Sequence, residues 1–314
     1  MNFKSIKDFP GAPASLKNKR VLLRLDLNAP IALDPLSGNH VVTDDFRLQS
    51  SLDTLNFLRE AGARTIVVSH IEGKGGETLF PVYRMFVEKF SLQMKFVADC
   101  MSEEANAAVK VLEDGEFLLL ENLRAYPGEK NNDPEFARLL ASMADIYVND
   151  AFPVSHRAHA SIVGVPKIIP GFAGVRLEKE VTELSTALHP SHPFLFILGG
   201  AKFETKLPFI EKFLKSADKV FIGGALANDC LKAKGLKLGK SVVSDGSFDL
   251  SAIVSSEKVI LPIDVVVERD GHRETIPVSE VQFDDRIWDA GPETLEMLVK
   301  EVAAAKFILW NGPL

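Results

Sequence analysis

The stretch Ile146-Tyr-Val-Asn-Asp-Ala-Phe-Pro-Val-Ser-His156-Arg157-Ala-His159-Ala-Ser161 sets a short apolar run directly before a crowd of polar groups. Ile146 to Val148 reads as a buried strand. In open α/β sheets, ligands sit in the crevice beyond the carboxyl ends of the strands. Two histidines and an arginine at such a point describe a receptacle for an anion. A single loop of this kind is equally well read as local pairing of Arg157 with a carboxylate such as Asp150. Recurrence along the chain decides between the two.

Working outward, Val21 to Leu25, Thr65 to Val68 and Phe117 to Leu120 read as further strands. Leu48, Leu52 and Leu55 mark one face of a helix stopped by Gly62. Another helix has Asp133 as N-cap and Pro134 at its first position, with Phe136, Leu139, Leu140 and Met143 along one stripe. Apolar strands alternating with helices mean βαβ units and a mostly parallel sheet. Residues 176–188 read as a helix ended by Pro190 and Pro193, after which the rhythm restarts. Strands are expected at 194–198, 220–222, 259–261, 263–267 and 307–309, and helices near 207–215, 226–234 and 292–304. The fold class is α/β: two doubly wound parallel-sheet domains, 1–175 and 191–314, joined by a helix within 176–190.

A chain of 314 residues suits two domains. Hydrophobic residues make up 46% and charged residues 25%, an ordinary balance that supports a sizeable core without disulfides or a structural metal. Cys100 and Cys230 form no CxxC or metal-ligand spacing, and the amino terminus carries no apolar signal core. No apolar run approaches the ~18 residues of a membrane span. A reducing cytoplasm and a small-molecule partner are therefore expected, with no membrane. The net charge of −7 argues against general nucleic-acid binding and makes local basic clusters more informative.

Such clusters recur. Asp26 and Asn28 follow the first strand, Ser69-His70 and the run Gly73-Lys74-Gly-Gly76 the second, Glu121-Asn-Leu-Arg124 the third, and His156-Arg157 the last. Arg47 lies at a helix start behind Thr43-Asp-Asp45. Singly, Arg47 pairs as readily with Asp44 or Asp45, and Asp26 is an ordinary turn or capping residue. Parallel strands bring all these ends to one edge, where guanidinium forks suit phosphate and carboxylate. In the second half, Leu198-Gly-Gly-Ala-Lys202-Phe-Glu-Thr-Lys206 runs from strand to helix through paired glycines, a place where backbone N–H groups hold phosphate. Gly223-Gly224 and Asn311-Gly-Pro313 follow two other strands. The GxGxxG fingerprint is absent, and Gly235-Leu-Lys-Leu-Gly239-Lys240-Ser241 is one residue short of a Walker A loop with no strand before it. No metal-ligand set is read from the sequence.

These blocks resemble the phosphoglycerate kinase family from about residue 16 to the last. The resemblance rests on Arg24-Leu-Asp-Leu-Asn-Ala-Pro30, Thr43-Asp-Asp-Phe-Arg47, Ser69-His70, Leu120-Glu-Asn-Leu-Arg124 with Pro127-Gly-Glu129, and Val148-Asn-Asp-Ala-Phe152 with His156-Arg-Ala-His-Ala-Ser161. It continues through Leu198-Gly-Gly-Ala-Lys202, Ile222-Gly-Gly224, Gly291-Pro292 and Trp310-Asn-Gly-Pro313. It implies reversible phosphoryl transfer from 1,3-bisphosphoglycerate to MgADP, giving 3-phosphoglycerate and ATP in glycolysis, by a cytoplasmic monomer that closes about a hinge. By matching position, Asp26, Asn28, Arg47, His70, Gly73, Arg124 and Arg157 would hold the phosphoglycerate. Lys202 would stabilise the migrating phosphoryl together with Arg47. Lys206, Gly200, Gly223, Gly224, Gly291, Asn311 and Pro313 would surround the nucleotide.

Four departures stand out. Ile71-Glu72-Gly73-Lys74 replaces a leucine-glycine-arginine-proline turn, so Gly73 stands where the family has a substrate-binding arginine, and Lys74 offers only a point charge. Pro153-Val154-Ser155 replaces glycine-threonine-alanine, and Thr205 stands for an aspartate. The family also continues past Leu314 with a ribose-binding glutamate, a phosphate-binding helix start, the aspartate for Mg2+ and a terminal helix. The expectation is a fragment with an incomplete second domain and impaired turnover. The competing readings are a phosphoglycerate-binding remnant without catalysis, and a haloacid-dehalogenase-like phosphatase with Asp26 as nucleophile.

Overall fold

Every residue from Val21 to Leu25 is fully buried, so this segment is covered on both faces, the situation of a central strand in a helix-flanked parallel sheet. In the computed structural model, which describes residues 3–72, 78–246 and 248–314, the segment is strand β1, Arg20–Leu25. It is followed by a small hairpin of β2 (Ile31–Leu33) and β3 (His40–Val42), then α1 (Phe46–Glu60), β4 (Arg64–Val68), α2 (Phe80–Glu88), β5 (Met94–Val97), α3 (Glu103–Lys110) and β6 (Phe117–Leu120). Next come α4 (Pro127–Lys130), α5 (Pro134–Ser142), β7 (Ile146–Asp150), β8 (Gly171–Ala173) and α6 (Val175–Thr186). The six-stranded sheet has the order β5-β6-β4-β1-β7-β8 and is parallel throughout. Alternate residues of β1 feed opposite cores, as the two-residue period of a strand requires. Leu23 and Leu25 join Leu48, Leu55 and Phe86 on one side; Leu22 joins Val109, Phe136 and Leu140 on the other.

α5 begins as its sequence demands: the Asp133 carboxylate accepts from the Phe136 amide at 2.8 Å. Between β7 and β8 the chain makes a single π-helical turn, Ala160–Gly164. Such turns are rare and tend to occur at functional sites.

The chain divides into two compact units, Met1–Leu184 and Ser185–Leu314, with the division in the last turn of α6. The second unit contains β9 (Phe194–Leu198), α7 (Phe203–Ser216), β10 (Lys219–Ile222), α8 (Gly224–Ala233), α9 (Ser251–Val254) and β11 (Val259–Ile260). It continues with β12 (Asp264–Arg269), β13 (His272–Pro277), β14 (Arg286–Ala290), α10 (Pro292–Ala304) and β15 (Phe307–Asn311). Its parallel sheet runs β11-β10-β9-β15. Phe194, Phe196 and Leu198 pack on Ile210 and Phe213 of α7, while Leu195 and Ile197 meet Leu298 of α10.

Two expectations need correction here. The apolar run at 263–267 does not extend the parallel sheet; it becomes β12, the middle of an antiparallel sheet ordered β13-β12-β14. Its Asp264 accepts the Glu293 and Thr294 amides at 3.0 and 2.7 Å, which fixes the start of α10. Also, α7 starts at Phe203 and not near Leu207, and carries Pro208 inside it. Lys202 takes the extended N-cap conformation and buried Phe203 anchors the first turn, which outweighs the one backbone hydrogen bond that Pro208 forfeits.

Candidate active site

In the first unit, parallel register sets the level of the strand ends. Leu25 pairs with Asp150, and Arg24 lies between Val68 and Asn149, so β1, β4 and β7 release their chains side by side. The loops beyond are then bolted together. The Ser69 hydroxyl accepts from the Leu27 amide (3.0 Å) and donates to the Leu25 carbonyl (2.8 Å). Asn122 accepts from the Ile71 and Arg124 amides (3.1 and 3.0 Å) and donates to the Ile71 carbonyl (2.9 Å). Asn28 accepts from the Glu72 amide at 2.9 Å.

His70 lies at the centre of this edge, 2% exposed, its Nδ1 3.2 Å from Nη2 of Arg24. Burial first, and then the guanidinium groups of Arg24, Arg124, Arg157 and Arg47, push its pKa down to about 2. Four arginines thus bear on one imidazole, and Arg47, Arg124 and Arg157 share a neighbourhood. Arg47 pairs with Asp26 and not with Asp44 or Asp45. Asp44 instead accepts the Phe46 amide at 2.9 Å, and Asp45 is taken by Lys89. Asp26 also accepts from the Asn28 amide at 3.3 Å.

The local reading of Arg157 is overturned. Asp150 is 2% exposed and accepts the Leu177 amide at 2.8 Å, at the start of α6. Arg157 is half-buried, and its side chain has no ion-pair or hydrogen-bond partner among the described residues. Arg124, with a side chain 6% exposed, has Nε 3.2 Å from Glu72 Oε1 without hydrogen-bond alignment, and its Nη2 has no partner among the described residues. Nη1 of Arg124 is 3.4 Å from Nε2 of His159, whose buried Nδ1 is also unsatisfied. Burial, then Arg124 and Arg157, hold His159 below the ordinary histidine range, Glu129 opposing them. Buried charged donors without acceptors are costly, and an anion that supplies acceptors removes the cost. His156 is exposed. Gly73 and Lys74 lie outside the described residues.

Arg24, Ser161 and Glu129 carry roles that the sequence reading did not assign. Arg24 is completely buried, donating from Nε to the Ser161 hydroxyl at 2.9 Å and from Nη1 to the Leu25 carbonyl. A charged residue inside the run Val21-Leu-Leu-Arg24-Leu25 was the available signal.

In the second unit the carboxyl ends of β9, β10 and β15 close on one another through glycine. A Cβ on Gly199 would collide with the Pro313 carbonyl, and one on Gly223 with Leu314. Gly200 (φ +128°) and Gly224 (φ +60°) adopt backbone that side chains disfavour, and the Gly200 carbonyl accepts the Leu226 amide at 3.1 Å. The starts of α7 and α8 are therefore exposed to a ligand from neighbouring loops. Lys206 reaches Asn311 Oδ1 at 2.5 Å, and exposed Lys202 has no side-chain partner among the described residues. A cavity of about 210 Å³ opens beside Gly224, lined also by Ala225, Leu231, Val242, Trp288 and Ala290. Gly291, the N-cap of α10, follows Ala290 and leaves no room for a Cβ against Asp264. Among the described residues no group of three or more His, Cys, Asp and Glu side chains could hold a metal ion.

Enzymes that move a phosphoryl group between anionic small molecules need this equipment: arginine forks for one anion, glycine-lined helix starts and lysines for another. The comparisons identify which. The profile of phosphoglycerate kinase matches residues 12–314. The chain is 40% identical over 315 residues to phosphoglycerate kinase of Dictyoglomus turgidum, covering 95% of this chain and 78% of that one. It is 41% identical to that of Moorella thermoacetica, covering 95% and 79%. Among solved structures, phosphoglycerate kinase from Coxiella burnetii matches with a TM-score of 0.80 at 32% identity, covering 99% of this chain and 80% of that one. The enzyme from Pyrococcus horikoshii matches at 0.82 and 28% identity, with the same coverage. The chain belongs to the phosphoglycerate kinase family and is a phosphotransferase, a kinase acting on small molecules.

Proposed function

We propose that the first unit holds the phosphoglycerate and the second the adenine nucleotide, with phosphoryl transfer from 1,3-bisphosphoglycerate to MgADP and back. The observation that carries this reading is the set of guanidinium groups around His70, of which Arg157 and Nη2 of Arg124 lack acceptors among the described residues. Asp26 orients Arg47, Asn28 sets the loop at Glu72, and Arg124, Arg157 and His70 meet the substrate's oxygens. Arg47 and Lys202 stabilise the charge of the migrating phosphoryl. Lys206, Gly200, Gly223, Gly224, Asn311 and Pro313 face the nucleotide's phosphates, and the side of the cavity near Gly291 takes its base. Mg2+ enters with the nucleotide phosphates as part of that substrate. The acyl phosphate and the nucleotide's terminal phosphate must meet in line, so the protein contributes alignment and charge and forms no covalent bond itself. Asp26 is committed to Arg47 and the Asn28 amide, which speaks against its serving as a phosphatase nucleophile. A cytoplasmic monomer goes with this reading; two buried free thiols, Cys100 and Cys230, each pushed up to about 12 by burial, suit a reducing compartment.

Calorimetric titration with 3-phosphoglycerate tests the assignment. Saturable binding that falls steeply with salt and weakens about tenfold or more in Arg124→Ala is expected. Binding of MgADP with no detectable phosphoglycerate affinity would remove the first unit's role.

A further inference from the structure

Glu129 in α4 is completely buried and forms no ion pair among the described residues. Both its oxygens go to one residue, accepting from the Ser161 amide at 2.9 Å and the Ser161 hydroxyl at 2.6 Å. The π-helical turn that begins at Ala160 brings Ser161 to that point. Having given its single proton to Glu129, the Ser161 hydroxyl can only accept from Arg24, whose Nε lies 2.9 Å away. Arg24 is then held at a second corner by the Leu25 carbonyl, leaving Nη2 aimed at Nδ1 of His70, 3.2 Å away. A guanidinium has donors and no acceptor, so Nδ1 of His70 must be bare. The imidazole's proton sits on Nε2, which has no partner among the described residues.

We propose that Glu129 is a positioning residue for the phosphoglycerate site: through Ser161 and Arg24 it locks His70 in the tautomer with a bare Nδ1, presenting Nε2–H as a donor to the substrate. The charged groups facing His70 are Arg24, Arg124, Arg157 and Arg47. Burial, and after it their common sign, keeps the ring neutral, so His70 contributes a directed hydrogen bond and no charge. Glu129 supplies the strongest of the attractions that keep Arg24 charged where no water reaches it. The chain of hydrogen bonds thus carries a negative charge's influence from a buried helix turn to the cleft. The tautomer follows from the protein alone, whereas the donor role rests on the phosphoglycerate reading given above.

Nitrogen-15 NMR of the histidine rings in the full chain tests both parts. In the wild type, His70 is expected to show a bare Nδ1 and a protonated Nε2, without titration from about pH 5 to 8. In Glu129→Gln, which keeps the shape and removes the charge and one acceptor, His70 should exchange between tautomers. Affinity for 3-phosphoglycerate should drop about tenfold while thermal unfolding stays cooperative. Ser161→Ala, which cuts the same chain at one hydroxyl, should do likewise and serves if the first variant misfolds. An Nδ1–H ring or a titrating His70 in the wild type overturns the proposal. So does a cooperatively folded Glu129→Gln or Ser161→Ala protein with an unchanged His70 pattern and affinity. The expected tautomer in a wild type that binds no 3-phosphoglycerate would sink the reading of the cleft and leave the hydrogen-bond chain standing.

Discussion

Two titratable groups of the first unit oppose each other in acid. His70, lowered to about 2 by burial and then by its arginines, refuses a proton that the unfolded chain takes up below its ordinary 6.5. Its contribution to stability is therefore present above pH 6.5 and falls as pH drops, by about 1.4 kcal/mol per unit. Asp150 behaves in the opposite sense. Burial pushes it up to about 6 from 3.8, against the Thr54 hydroxyl and the Leu177 amide. The folded state keeps a proton that the unfolded chain has released, so that stabilisation is complete below 3.8 and is lost as pH rises through 6. Between these values the slopes cancel. Asp150→Asn should keep the Leu177 hydrogen bond, raise stability at neutral pH by about 1–2 kcal/mol, and unmask the acid sensitivity of His70. Urea denaturation across this pH range checks it; a variant with wild-type stability at neutral pH and an unchanged slope would refute it. Arg157 offers a cleaner test, since its side chain makes no hydrogen bond or ion pair with the described residues. Arg157→Ala should leave the melting temperature within a few degrees and weaken 3-phosphoglycerate binding about tenfold to a hundredfold. Calorimetry on that variant decides it.

The secondary elements differ in how plainly the sequence announces them, and burial explains why. β6 and β9 are apolar along their whole length, and β1, β4, β7 and β10 each carry an apolar run of three or more residues, because helices cover both sheet faces. β13 and β14 escape such a reading, since His272–Pro277 and Arg286–Ala290 expose most residues and gain their identity from pairing with β12. Pro208 misleads about where α7 begins. The site follows the same logic. Arg124 and Arg157 lie beyond strand ends and Arg47 at a helix start, where position makes them legible, but the Arg24–Ser161–Glu129 chain joins residues far apart in sequence inside the core. The Asn122 clamp is of the second kind. It links the loop after β6 to the loop after β4 through three backbone hydrogen bonds to Ile71 and Arg124. Asn122→Ala should lower stability by about 2–3 kcal/mol and loosen phosphoglycerate binding even though no contact to substrate is removed. Protection of the Ile71 amide from hydrogen exchange is the sensitive readout, and unaltered protection would show that the loops hold together without it.

For the molecule as a whole, the two units have separate cores. Leu22 and Leu23 organise both faces of one sheet, and Phe196 and Ile197 both faces of the other. Each half of the proposed chemistry then belongs to one unit's own hydrogen bonds, and single substitutions should separate the halves. Lys202 is the point at which to divide them. It caps α7 in extended conformation with an exposed side chain that has no partner among the described residues, so its loss disturbs no packing. If it acts on the migrating phosphoryl, its charge matters most when that group lies between donor and acceptor, and little when either substrate binds alone. Lys202→Ala should therefore slow transfer by about a hundredfold or more while leaving 3-phosphoglycerate affinity and thermal stability as in the wild type. Rapid-quench measurement of a single turnover, beside equilibrium titrations of both substrates, reads the two effects independently. A variant that loses phosphoglycerate affinity and keeps its rate of transfer would move Lys202 from the reaction to the binding of substrate.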